Sequence, residues 1–165
     1  YGHQSVQESI PGITNSVQDN DEITIGPIRI KVFLTEGHID GHVSYLIDEF
    51  LFCGDTMFGA GCGYLFDGPP SKMHDSLQLF SSMPEYTYVC CAHEYTEANL
   101  KFAREFFPDN PKISERYGQV KRDREKLLPT VPLELSCELK TNPYLTCKNF
   151  NEFRVIRASK DNWKG

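Results

Sequence analysis

The chain has 165 residues, a net charge of −6, 24% charged and 39% hydrophobic residues. That balance excludes a largely disordered chain, and the acidic excess argues against nucleic-acid partners, which want a basic face. No apolar run approaches the ~20 residues of a membrane span and no secretory pattern is present, so a cytoplasmic protein is expected, built as one domain or a domain with an appendage; the oligomeric state is left open, a monomer being favoured for the complete protein.

In chain order, residues 1–22 are polar and turn-rich, with Pro11-Gly12 and Asp19-Asn20-Asp21, and predict loops with at most one short edge strand. Ile23–Ile25, a Gly26-Pro27 turn and Ile28–Thr35 read as a hairpin. In its second arm Ile28, Ile30, Val32 and Leu34 alternate with Arg29, Lys31, Phe33 and Thr35, giving one apolar face. Val43–Ile47 and Phe50–Cys53 are two more strands around an Asp48-Glu49 turn. Gly59-Ala60-Gly61-Cys62-Gly63 predicts an irregular loop with close backbone approach; it lacks the Gly-Lys-Ser/Thr ending of a phosphate loop. Pro70 suits the first position of a helix whose stripe is Met73, Leu77 and Phe80.

Tyr86–Cys91 reads as a strand, and Thr96 as the N-cap of a helix with Leu100, Ala103 and Phe107 on one face. From Asp109 the signals turn helical and polar. A helix beginning at Asn110-Pro111 is expected to turn Ile113, Tyr117, Val120 and Leu127 inward, with Lys121–Lys126 solvated. Pro129–Pro132 reads as a linker, Leu133–Lys140 as a short helix, Asn142-Pro143 as a turn and Asn151–Ser159 as a last helix. The expected architecture is α/β (α+β): a body over residues 1–108 and a helical segment over 109–165. Phe102, Phe106 and Phe107 are packing residues. The six cysteines, Cys53, Cys62, Cys90, Cys91, Cys137 and Cys147, lack zinc-finger spacing and read as reduced structural thiols, with a disulfide-stapled secreted fold as the weaker alternative. The chain opens at Tyr1 in what reads as mid-domain sequence, so processing or a longer parent product is expected.

Three runs carry the chemistry: Thr35-Glu36-Gly37-His38-Ile39-Asp40-Gly41-His42-Val43-Ser44-Tyr45, then Gly54-Asp55-Thr56, then Ala92-His93-Glu94-Tyr95-Thr96. Each puts a His or Asp beside a short apolar, β-branched segment, and strand ends are where an α/β fold presents fixed functional groups. One carboxylate and two imidazoles held in that way make half of a metal site. Alone, His38 reads more readily as a surface or satisfied core histidine than as a ligand, and Asp55 as a turn residue. His42 favours a structural hydrogen bond near the site. Glu94 points away from His93 on a strand end and is a weak base candidate. His3 and His74 have no partner spacing.

Together with Gly61-Cys62-Gly63 and the closing Arg157-Ala158-Ser159-Lys160-Asp161, these runs resemble glyoxalase II (hydroxyacylglutathione hydrolase) of the metallo-β-lactamase superfamily, from about residue 20 onward. The resemblance implies part of an αββα sandwich with a C-terminal helical domain. It implies two divalent metal ions, zinc or else iron or manganese, with His38 on the first, Asp55 bridging both as the catalytic carboxylate, and His93 on the second. It implies hydrolysis of S-D-lactoylglutathione, a glutathione thioester, by a hydroxide held between the metals. Tyr95, Arg157, Lys160, Tyr64 and Phe66 take the family's substrate positions, Arg157 and Lys160 being the pair for a glycine carboxylate. Tyr64 stands where the family commonly has Lys or Arg, and Glu36 adds a negative charge beside the site. The family's Thr-His-x-His-x-Asp-His motif has no match, so His38, Asp55 and His93 leave each metal short of ligands, and little turnover is expected of this chain without the missing ligands. The competing readings are a non-catalytic paralogue that binds glutathione conjugates or a partner chain, and a mononuclear-iron persulfide dioxygenase.

Overall fold

A six-stranded mixed sheet with helices laid against one face organises the chain; the computed structural model describes all residues, 1–165. Two short strands, β1 (Gly2–His3) and β2 (Ser16–Val17), pair in parallel outside that sheet. The hairpin follows as β3 (Glu22–Ile25) and β4 (Ile28–Leu34), with Ile25 opposite Ile28 and Gly26 in the left-handed conformation (φ 59°) that the tight turn needs. Then come β5 (Val43–Ile47) and β6 (Phe50–Gly54), and a small antiparallel ribbon of β7 (Met57–Phe58) and β8 (Gly61–Cys62). Helix α1 (Pro70–Ser81) crosses over to β9 (Tyr88–Cys91), which runs parallel to β6. Helices α2 (Thr96–Phe106) and α3 (Pro111–Glu125) precede β10 (Leu133–Glu134), and α4 (Leu135–Thr141), α5 (Pro143–Thr146) and α6 (Phe150–Asn162) end the chain. The strand order is β10-β9-β6-β5-β4-β3.

The core lies between the sheet and the helices. Leu51, Cys53 and Val89 point down from β6 and β9 onto Met73, Leu77 and Phe80 of α1, and the same cluster takes in Phe102, Leu135, Tyr144, Phe153 and Ile156. Helix starts follow local chemistry. Pro70 and Pro111 occupy first-turn positions where a missing N–H costs nothing. The side chain of Asn110 accepts the N–H groups of Lys112 (3.1 Å) and Ile113 (3.3 Å), and that of Asn149 accepts the N–H of Glu152 (3.0 Å).

Several sequence expectations are corrected. The segment at 59–63 is not all loop: it holds the turn and the second strand of the β7–β8 ribbon. On β4, Val32 and Phe33 are both buried while Ile28 is exposed, because both faces are covered near Leu34 and neither is at the hairpin end. Thr96 is the first residue of α2 rather than its cap; its hydroxyl lies 2.6 Å from that of Thr130. Helix α3 stops at Glu125, and Leu127, in left-handed conformation, projects into solvent. The Pro129–Pro132 segment returns the chain to the sheet, where Leu133 pairs with Val89. Residues on both sides of position 108 therefore share one core. Asn142-Pro143 opens α5, with the Asn142 side chain accepting the N–H of Tyr144 (3.1 Å).

Candidate functional site

Strands β4, β6 and β9 run in the same direction, since β5 is antiparallel to both β4 and β6 and β9 is parallel to β6. Their C-terminal ends share one edge of the sheet. His38 lies in the loop after β4, Asp55 follows β6 directly, and His93 lies two residues beyond β9. Topology thus brings three sequence-distant groups together: His38 Nε2 stands 3.4 Å from Asp55 Oδ2, and His93 Nε2 stands 3.5 Å from Asp55 Oδ1.

The tautomer of His38 is set by the backbone. Its Nδ1 lies 2.8 Å from the Tyr64 carbonyl oxygen, which can only accept, so Nδ1 carries the proton and donates it there. In the neutral ring Nε2 then presents a lone pair toward a carboxylate. Asp55 Oδ1 is buried without a hydrogen-bond partner, an arrangement that costs free energy until a cation or donor compensates it. Imidazole nitrogens facing both oxygens of one carboxylate are the donor types that suit a borderline divalent cation. The donors are right in type and few in number: no group of three or more His, Cys, Asp or Glu side chains forms a ready metal cluster.

Two glycines let the backbone close around these groups. Gly54 has φ 52°, and a Cβ there would meet His42 Nε2 at 2.7 Å. A Cβ on Gly63 would meet the Asp55 carbonyl oxygen at 2.0 Å and His38 Nδ1 at 3.1 Å. His42 sits behind the site, its Nδ1 at 3.1 Å from the Thr35 hydroxyl and 3.2 Å from that of Thr56. Burial, and then the neighbouring His38, lower its pKa from the ordinary histidine value.

Aromatic rings form the rim. Phe66 meets His38 edge-on at 5.1 Å, Tyr64 lies 4.9 Å from Phe66, and Tyr95 stacks on His93 at 5.0 Å; all three are exposed. The C-terminal cations are held differently. Arg157 is buried, pairs with Asp161 (2.6 Å) and donates to the Cys62 carbonyl (3.3 Å), while its edge borders a cleft of about 500 Å³ with Leu65 and Arg154. The Lys160 ammonium lies over Trp163 (4.3 Å) and Phe102 (5.2 Å). Burial, reinforced by the charge of Arg157, lowers its pKa to about 8.

Two supports went unread in the sequence. Lys72 of α1 pairs with Glu36 (3.0 Å) and Asp40 (2.6 Å), so the added negative charge at Glu36 is partnered and the His38 loop is clasped from both sides. Glu94 faces away from the site and accepts the Thr130 N–H (2.8 Å) and hydroxyl. Glu36 and Asp40 are four residues apart, but nothing in their spacing names a cation more than 30 positions later.

Residues 94–163 match the family described as hydroxyacylglutathione hydrolase C-terminus. A hydroxyacylglutathione hydrolase of Prochlorococcus marinus is 44% identical over 159 residues, covering 92% of this chain and 63% of that protein. One of Edwardsiella ictaluri is 45% identical over 156 residues, covering 94% and 61%. In structure, a metallo-β-lactamase from Staphylococcus aureus superposes with TM-score 0.63 at 22% identity, over 99% of this chain and 42% of that one. ETHE1 from Myxococcus xanthus gives TM-score 0.62 at 23% identity, over 90% and 53%. The chain spans about three-fifths of the length of the curated relatives it matches. By sequence it is similar to hydroxyacylglutathione hydrolases, with their C-terminal family matched at residues 94–163, and by fold it is an α/β protein of the metallo-β-lactamase type.

Proposed function

We propose that this chain supplies the greater part of a metal-dependent thioester hydrolase acting on S-D-lactoylglutathione and related 2-hydroxyacylglutathiones. The observation that carries the reading is Asp55, with one oxygen toward each imidazole and Oδ1 buried and unpartnered. His38, Asp55 and His93 would hold divalent metal, zinc or alternatively iron or manganese, with further ligands coming from residues outside this sequence. When bound, such ions make water nucleophilic near neutral pH and polarise the thioester carbonyl.

The chain's own groups supply position. The Tyr64 carbonyl keeps the His38 proton on Nδ1, so that Nε2 is free to ligate. Tyr95, Tyr64 and Phe66 line the approach and would pack on the thioester's apolar parts. Arg157 and Lys160 are the candidate contacts for a glutathione carboxylate. Arg157 would use the edge that borders the cleft beside Leu65, and Lys160 would have to leave its place over Trp163. In the net reaction water adds to the carbonyl carbon, the C–S bond breaks, and the sulfur leaves as glutathione while the acyl group becomes D-lactate. No cation stands at Tyr64, so the carboxylate contact rests on the C-terminal pair.

The test is hydrolysis of S-D-lactoylglutathione by the protein joined to the preceding part of a relative such as that of Prochlorococcus marinus, followed by loss of the thioester absorbance. The expected result is metal-dependent release of free thiol that Asp55→Ala abolishes. Equal turnover in the Asp55→Ala protein, or none in the joined protein loaded with zinc, iron or manganese, would overturn the proposal.

A further inference from the structure

Glu138 on α4 is fully buried, and a buried carboxylate stays charged only where partners replace its water. Its partners are the Arg116 guanidinium, the Ala60 N–H (2.9 Å) and the Asn142 side-chain amide (3.1 Å). The Asn142 amide also donates to the carbonyls of Phe58 (3.2 Å) and Gly61 (3.1 Å), and Asn99 of α2 donates to that of Gly59 (3.1 Å). Each residue from Phe58 to Gly61 therefore has a backbone group held by a side chain from α2, α4 or the start of α5.

That ribbon is the seat of the site. It follows Asp55-Thr56 and leads into Gly63, which packs on the Asp55 carbonyl, and into Tyr64, whose carbonyl fixes the His38 ring. At its other side Phe58 lies 6.0 Å from the His93 ring and 5.1 Å from that of Tyr95. A shift of the ribbon displaces the Tyr64 carbonyl and the Phe58 ring together.

We propose that Glu138 and Asn142 are positioning residues that fix the Met57–Cys62 ribbon against the helices and thereby orient His38 and His93 about Asp55. The inference builds on the metal-site reading of those three residues. A purely structural clasp between helix layer and ribbon would lower stability without changing the histidine geometry, and the two ideas separate on that point.

The experiment compares the whole chain with Glu138→Gln and Asn142→Ser. The first is isosteric, but turns an amide N–H₂ toward Arg116 or Ala60. The second keeps a hydroxyl able to cap α5 and loses the amide donors. Phe80→Leu, a core change on α1, serves as a control of matched thermal destabilisation. The metal-free readout is the long-range ¹⁵N spectrum of the His38 ring at pH 8. The expected result is a single Nδ1–H pattern in the wild type and in Phe80→Leu, replaced in both ribbon variants by an averaged pattern, together with faster amide exchange at Ala60. Should Glu138→Gln not fold, Asn142→Ser decides alone. An unchanged His38 pattern in the folded ribbon variants would overturn the proposal, as would the same averaging in Phe80→Leu. Zinc titration of the protein joined to the preceding part of a relative is the second arm: ribbon variants are expected to bind roughly 10-fold more weakly, as loss of support around a ligand does. A joined protein that takes up no zinc would count against the metal-site reading, while the positioning role is decided by the metal-free spectrum.

Discussion

Along β6, Leu51 and Cys53 are fully buried under the helices, whereas Phe50 and Phe52 on the opposite face are 36% and 45% exposed. The alternation repeats on β9, with Val89 buried and Tyr88 exposed. Beneath the sheet, packing is closed: side chains from ten elements interlock, the buried charge of Glu138 is answered by Arg116, and the buried polar atoms left without a partner there are the Tyr144 hydroxyl and Arg157 Nε. Above it, Ile23, Ile30, Tyr45, Ile47 and Phe52 line an open apolar hollow with Tyr1 at its side. The sheet edge between the two faces carries His38, Asp55 and His93, and there the unmatched group is a carboxylate oxygen. The difference teaches that stability is concentrated on the helical side, while the groups that suit binding sit where packing stops.

The sharpest way to break that contrast is to empty the helical face. Phe153→Ala is expected to cost about 3–5 kcal/mol, a large share of a typical domain's stability, read from urea unfolding by circular dichroism; a loss below 1 kcal/mol would remove the asymmetry. Next in size, Asn110→Ala should cost about 1 kcal/mol through the lost cap of α3, with no change at the His38 or His93 ring signals.

A pH series sharpens the comparison further. Burial and Arg157 hold the Lys160 pKa at about 8, below its ordinary 10.5, with Asp161 and Glu105 opposing the shift. A lysine with a lowered folded pKa binds fewer protons in the folded than in the unfolded chain between those values, so its contribution to stability rises with pH there. Relative to Lys160→Met, the wild type should therefore gain stability as pH rises from 8 through 10.5; a pH-independent difference would contradict the burial argument. The smallest effect belongs to the open face. Phe52→Ser should change stability by no more than about 0.5 kcal/mol and lower self-association in sedimentation velocity, because it interrupts an exposed apolar patch.

How much of this was legible in the sequence follows from the range of the forces involved. The hairpin at Gly26-Pro27, the strands at Val43 and Phe50 and the stripe Met73, Leu77, Phe80 are written in local periodicity, and the structure repeats them within a residue or two. His38, Asp55 and His93 could be singled out because each closes a short apolar run, and the structure brings them together. Long-range partnerships were not legible. Lys72 with Glu36, and Arg116 with Glu138, join residues whose spacing carries no signal, although Leu135, Glu138 and Asn142 do fall on one helical face and a charge there was a clue. The return of Leu133 to the sheet edge was hidden because Pro129–Pro132 has the composition of a linker while serving as the approach to a strand. At Arg157 and Lys160 the resemblance implied a pair for one carboxylate; the structure gives one a buried bridge to Asp161 and the other an aromatic platform.

The most direct measurement is zinc titration of the protein joined to the preceding part of a relative, carrying ¹⁵N-labelled histidine, in the wild type and in Asp55→Ala. The ring signals of His38 and His93 should move together in the wild type while those of His3 and His74 stay in place, and the coupled response should vanish in Asp55→Ala with the circular dichroism unchanged. Zinc that leaves both rings unmoved, or binds the Asp55→Ala chain as tightly as the wild type, would contradict the assignment of these three residues as one metal-binding set.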